Sequence, residues 1–142
     1  VILHASCQEI SRNFDTLALA PRAEAPRLEA VLEVCAPGAR FDGGANAGNK
    51  SLGFRGIHRL EAFAQWAADR PESHVIVGGH SLWFRSFFQR YLDGEHNAAK
   101  KKIVNCGVIA FDLKCGKDAS GNDAFNVDSS TVRVIYGGFG GK

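Results

Sequence analysis

Two spacings of apolar residues alternate along the chain and predict its secondary structure. Short apolar runs predict buried strands, whereas apolar residues three and four positions apart predict amphipathic helices. Strands are expected at residues 1–5, 74–77, 103–113 and 131–136, and helices at residues 27–36, at 55–69 and from the turn at Gly78-Gly79 through Leu92. The β-α-β order at the middle of the chain indicates an α/β sandwich, with room for an antiparallel edge among the last strands.

Composition and charge describe one ordinary globular domain. The 142 residues are 45% hydrophobic and 23% charged, with a net charge of +2 that is too small to predict nucleic-acid binding. No apolar run approaches the ~20 residues of a membrane span, and no signal-peptide pattern opens the chain. Four cysteines without a CxxC pair favour reduced thiols over a zinc site or a disulfide framework. We expect a cytoplasmic protein, while an organellar location stays open.

The best candidates for a site are His80 and Ser81, which follow the predicted central strand directly. Ligands of open α/β sheets bind at the carboxyl ends of the strands, and the start of the next helix favours an anion. We expect that anion to be a phosphate. A second glycine-rich loop, residues 42–50, is a weaker candidate, because it ends in Gly48-Asn49-Lys50-Ser51 and lacks the spacing of a P-loop.

Two other chemistries fit these residues less well. Gly79-His80-Ser81-Leu82 resembles the start of the G-x-S-x-G elbow of serine hydrolases, but Trp83 stands at the position of the closing glycine. The five histidines have no HxxxH or HxH spacing, so the sequence predicts no metal site and no cofactor; they are His4, His58, His74, His80 and His96.

Most of the chain resembles the second half of the histidine phosphatase superfamily, which has the phosphoglycerate-mutase-like fold. The resemblance lies in Val75-Ile-Val-Gly-Gly-His-Ser, the aromatic helix that follows it, and Gln8-Glu9, which is similar to the family's L-x-E turn. Asn105-Cys106-Gly107 stands where the family places its final strands. The resemblance implies a mostly parallel sheet flanked by helices, with residues 1–137 as the carboxyl-terminal part of one domain and 138–142 as a glycine-rich tail.

The resemblance also implies roles for individual residues. His80 would stabilise the charge of the transferring phosphoryl group, and Glu9 would be the general acid that protonates the leaving oxygen. Ser81 would bind the phosphate at the start of the helix. Four further candidates for substrate binding match no motif of the family: Arg12, Asn13, Asn49 and Lys50.

The family's nucleophile, a histidine in an R-H-G turn, has no counterpart in these residues, and neither does its later R-x-x-x-T arginine. His4 does not replace the nucleophile, because Leu3 and Ala5 flank it. We expect the fold to be incomplete at its amino terminus, with the nucleophile and one central strand on a missing segment or on another chain.

The sequence therefore predicts a phosphomonoester hydrolase that uses a phosphohistidine formed outside this chain, as a phosphatase rather than a mutase. Its substrate would be a phosphorylated small molecule or a phosphoprotein, with no nucleic-acid or membrane partner. The alternative is a non-catalytic phosphatase-like module that acts as a subunit or a binding surface in an assembly.

Overall fold

A computed structural model describes residues 1–2, 4–9, 20–26, 33, 37–49 and 56–140. Its α-helices are α1 (Gly56–Ala68), α2 (Ser81–Tyr91) and the short α3 (Asn97–Lys100). The first two confirm the helices predicted from apolar spacing, whereas α3 was not predicted. The predicted helix at 27–36 lies outside the described residues except for Glu33, which is helical. Within the described part, no helix is long and apolar enough to cross a membrane.

The hydrophobic core lies between α1 and α2, because each helix presents one continuous apolar face. Phe63 of α1 meets the Trp83 ring edge-on with 5.0 Å between centroids, and Trp83 stacks on Phe87 at 5.4 Å. Burying a large apolar side chain contributes about 1.5–3 kcal/mol, so these rings supply much of the packing energy. The buried residues of this core on the two helices are Leu60, Phe63, Ala64, Trp83, Phe87, Phe88 and Tyr91.

The strands of the described residues form three separate two-stranded antiparallel sheets. They are β1 (Lys102–Ile103), β2 (Val108–Ala110), β3 (Leu113–Lys117), β4 (Asp123–Val127), β5 (Arg133–Tyr136) and β6 (Phe139–Gly140). The pairs are β1 with β6, β2 with β5, and β3 with β4. Val127 of β4 is buried in the core of the helices, so the β3–β4 hairpin packs against them.

The predicted mostly parallel sheet flanked by helices is therefore wrong for the described residues. Residues 74–79 form no ladder there, and the side chain of Ile76 is fully exposed. Among the described residues of the range 1–5, Ile2 forms one parallel bridge with Asp42, and a 3-10 helix begins at Ala5 and ends at Cys7. The apolar runs at these two places predict buried strands, but a strand also needs a partner for its backbone groups.

The predicted strand at 103–113 is broken into three pieces, and a tight turn makes the first of the two breaks. Cys106 has a φ of +60°, and the Gly107 N–H donates to the Val104 carbonyl at 2.8 Å. A Cβ on Gly107 would lie 2.6 Å from a methyl carbon of Ile103, so the turn requires glycine there. This turn separates β1 from β2 and lets each pair with a different late strand.

Residues 114–123, for which no strand is predicted, belong to a β-hairpin. β3 and β4 pair in continuous register from Leu113–Val127 to Lys117–Asp123. The Asp118 carboxylate accepts backbone N–H bonds from Ser120 at 2.8 Å and from Asn122 at 2.9 Å, which closes the turn.

The glycine-rich carboxyl end contributes a strand of its own. Gly137 and Gly138 have positive φ angles of 73° and 101°, which reverse the chain so that Phe139 pairs with Ile103 and Gly140 with Lys102.

Candidate functional site

A short turn at residues 4–9 carries one half of the candidate site. The His4 ring caps its 3-10 helix, because Nδ1 accepts the Ser6 N–H at 3.3 Å and lies 2.5 Å from the Ser6 hydroxyl. The indole N–H of Trp83 donates to the Ser6 carbonyl at 2.7 Å. This bond attaches the turn to the first turn of α2, which carries the other half of the site.

His80 and Glu9 come together where these two pieces meet. His80 is the N-cap residue of α2, with extended backbone, and its side chain makes no capping hydrogen bond. Its Nδ1 lies 3.3 Å from Oε2 of Glu9, within ion-pair distance. The Glu9 side chain is only 7% exposed, whereas the His80 side chain is 52% exposed. A buried carboxylate thus orients an imidazole whose other edge faces solvent.

The backbone of Glu9 is held by an arginine that sequence reasoning did not single out as functional. Arg59, on the first turn of α1, donates from both terminal guanidinium nitrogens to the Glu9 carbonyl oxygen, each at 3.2 Å. The residue is 2% exposed. Burial lowers the pKa of Arg59, and the negative charge of Glu9 opposes that shift. The available signal was its position four residues before Phe63, on the apolar face of the helix.

The remaining predicted residues are placed as follows. Ser81 is the first residue of α2, next to His80, and is half-buried. Asn49 is exposed and follows Gly48, which lines the cleft described below. The other three candidates, Arg12, Asn13 and Lys50, lie outside the described residues.

A cleft of about 700 Å³ opens beside the Glu9–His80 pair and includes both residues in its wall. One side is formed by the beginning of the chain from Val1, and the other by residues 74–80. Phe63 and Trp66 of α1 form part of its lining. The wall therefore combines apolar side chains with further polar ones, among them Arg70 and Glu72.

The pKa values of two titratable groups in the same turn are shifted by their surroundings. Burial lowers the pKa of His4, which is consistent with a neutral ring that accepts hydrogen bonds. Burial raises the pKa of the Cys7 thiol to about 11, so Cys7 is a poor nucleophile at neutral pH. Among the residues that the structure describes, no group of three or more His, Cys, Asp or Glu side chains is placed to hold a metal ion.

The pair formed by Glu9 and His80 can perform proton transfer and anion stabilisation. Its half-exposed imidazole faces a cleft, and the amide N–H groups at the start of an 11-residue helix follow it directly. No protein-family model matches the chain, and no match was found among curated proteins or solved structures.

Proposed function

We propose that this chain is the carboxyl-terminal part of a phosphomonoester hydrolase of the histidine phosphatase type, whose phosphohistidine forms on a residue outside the chain. The observation that carries the proposal is the Glu9–His80 pair, with 3.3 Å between Oε2 and Nδ1 at the start of α2. A buried carboxyl group supplies the proton donor in its protonated form, and the half-exposed imidazole beside it supplies a cation when the ring is protonated.

His80 has the position needed to stabilise a phosphoryl group. With Nδ1 turned to Glu9, the Nε2–H of a protonated ring is available to a phosphoryl oxygen. The amide N–H groups at the start of α2 and the hydroxyl of Ser81 add donors at the same place. Hydrogen bonds and charge directed at the phosphoryl oxygens are the main catalytic contribution in this type of transfer.

In the proposed reaction Glu9 is the general acid. Its carboxyl group lies in the wall of the cleft, next to the site that His80 would give to the phosphate. A protonated carboxyl group there delivers its proton to the leaving alcohol oxygen, which must come within hydrogen-bond reach. The carboxylate that remains then stabilises the protonated imidazole of His80.

A further part of the proposal is that another segment, or another chain, completes the sheet beside residues 74–79. Within the described part of the chain, their backbone groups form no hydrogen bonds, and Val75 and Ile76 are 40% and 100% exposed. An apolar edge with unpaired backbone groups is a place where a further strand adds. A strand there would end beside His80, where the proposed nucleophile is required.

The substrate is a phosphorylated small molecule or a phosphoprotein, and we place the protein in the cytoplasm.

The test is phosphatase activity of the complete gene product on p-nitrophenyl phosphate. Loss of one donor to the phosphoryl group is expected to lower kcat by about 10²–10³-fold in His80→Ala. The matched control is His58→Ala, which removes an exposed histidine that pairs with Glu61 on α1 at 3.4 Å. Turnover should be unchanged in the control. Unchanged turnover in His80→Ala would remove His80 from the mechanism.

The second candidate is a non-catalytic phosphatase-like module that serves as a subunit or a binding surface. The exposed apolar run at residues 75–76 favours it, since such a run also suits a protein interface. The coding sequence upstream of Val1 distinguishes the two candidates. An intact R-H-G turn there supports the enzyme, whereas a substituted histidine supports the module.

A further inference from the structure

Arg59 is a charged residue on the buried apolar face of α1, where packing does not require a charge. Its neighbours on the same face of α1, Leu60 and Phe63, are 4% and 5% exposed, and Arg59 itself is 2% exposed. Burying a guanidinium group is costly unless the charge is paired and hydrogen-bonded. An aliphatic residue would fill the space without the free-energy cost of burying a guanidinium group. The hydrogen bonds of Arg59 therefore indicate a role beyond packing.

Those bonds converge on the main chain of the proposed general acid. Both terminal nitrogens of Arg59 donate to one carbonyl oxygen, that of Glu9, across 50 residues of sequence. Two charged donors on one oxygen fix the orientation of that peptide group more tightly than a single neutral bond does. The carboxyl group of the same residue lies 3.3 Å from the imidazole of His80. The rotation of the Glu9 backbone therefore decides where its carboxyl group is presented.

We infer that Arg59 is a positioning residue, which holds the Glu9 carboxyl group where it can protonate the leaving oxygen. This inference rests on the proposed function of Glu9 as the general acid. Displacing a reacting group by about 1 Å can lower a rate by about 10²-fold, so loss of the two bonds should matter for catalysis. Loss of the two bonds should lower the rate only for substrates whose leaving group needs a proton.

The experiment compares two phosphate esters with the complete gene product. The p-nitrophenolate leaving group departs without a proton, whereas the alkoxide of methyl phosphate requires one. Arg59→Met keeps a long aliphatic side chain and removes the donors. We expect kcat/KM of Arg59→Met to fall by about 10–10²-fold for methyl phosphate and by less than about threefold for p-nitrophenyl phosphate. The same preparation is used for both esters, so a reduced folded fraction cancels in the ratio of the two rates.

Two further variants complete the design. Glu9→Gln removes the proposed acid and should show the same dependence on the leaving group, to a greater extent. Arg59→Lys retains the charge but replaces two donor nitrogens with one, and its ratio should lie between those of the wild type and Arg59→Met. If Arg59→Met does not fold, Arg59→Lys is assessed by the same ratio.

The outcomes separate the inference from the proposed function. Equal losses on both esters in the Arg59 variants, with a leaving-group effect in Glu9→Gln, would show that Arg59 is only structural, and the proposed function would stand. A wild-type protein that hydrolyses neither ester, or a Glu9→Gln variant with unchanged rates, would overturn the proposed function and the inference with it.

Discussion

The hydrogen bond from Trp83 to the Ser6 carbonyl predicts a measurable loss of stability when it is removed. Trp83→Phe keeps an aromatic ring against Phe63 and Phe87 but removes the indole N–H, which lies 2.7 Å from a carbonyl of a 6% exposed residue. Leaving a buried acceptor unsatisfied costs about 1–3 kcal/mol. The smaller ring adds a cavity at about 24 cal/mol per Å³. We expect the free energy of unfolding to fall by about 2–4 kcal/mol.

Urea unfolding followed by far-UV circular dichroism measures this loss, with an unchanged slope as a check on two-state behaviour. Trp66→Phe is the matched control. The Trp66 indole is half-buried, packs 4.7 Å from the His4 ring and donates no hydrogen bond within the described residues. Its replacement should cost less than about 1.5 kcal/mol, the range of an aromatic contact. Equal losses in the two variants would refute the reasoning, because the buried hydrogen bond would then contribute nothing.

Three further predictions concern the same turn and the exposed run. Burial raises the pKa of Cys7 from 9.0 to about 11, so at pH 8 its thiolate should be about 100-fold scarcer than that of an ordinary thiol, and its alkylation by iodoacetamide correspondingly slower. Peptide mass spectrometry measures the rate, with the exposed Cys106 as an internal comparison, and equal rates at the two thiols would contradict the prediction. Burial lowers the pKa of His4 below 6.5, so the unfolded state binds the proton first and the free energy of unfolding falls as the pH drops from 6.5 through the lower folded pKa. His4→Gln should flatten this dependence of the unfolding free energy on pH, as measured by urea unfolding. The same dependence in both proteins would contradict the prediction. Backbone amides 75–77 should exchange with deuterium without protection in this chain and gain protection in the complete gene product, and protection in the chain alone would argue against an unpaired edge.

The helices were predictable from the sequence because helical spacing is a local property. In α1 and α2 the apolar residues recur every three or four positions, and the same residues form the core between the helices. The Glu9–His80 pair was named from two short motifs, and the structure places the two side chains 3.3 Å apart although 71 positions separate them in sequence.

The sheet was not predictable in the same way, since a strand is defined by its partner. The run at residues 75–77 is apolar, yet it pairs with nothing in the described part of the chain. The β3–β4 hairpin was missed for the opposite reason: Lys114, Cys115, Gly116 and Lys117 are exposed and show no apolar alternation. The hairpin is stabilised by the Asp118 turn and by backbone pairing between the two strands, and neither feature is visible in the pattern of apolar residues.

Arg59 was missed because one charged residue in an apolar stripe resembles an irregularity of the pattern. Its proposed role rests on a long-range contact with a main-chain oxygen, and such a contact places no constraint on the type of residue at the other end. Motif comparison detects side chains that react, and it has no means to detect side chains that hold a backbone in place.

Two side chains from different helices therefore support the turn that carries the proposed general acid. Trp83 of α2 binds the carbonyl of Ser6, and Arg59 of α1 binds the carbonyl of Glu9, three residues further along. Both helices belong to one aromatic core, so the turn is held between two elements that are themselves fixed by Phe63 and Phe87. Because both bonds hold the same turn, we expect their contributions to the position of Glu9 to be coupled. We therefore expect the proposed activity to be sensitive to core residues that never contact the substrate.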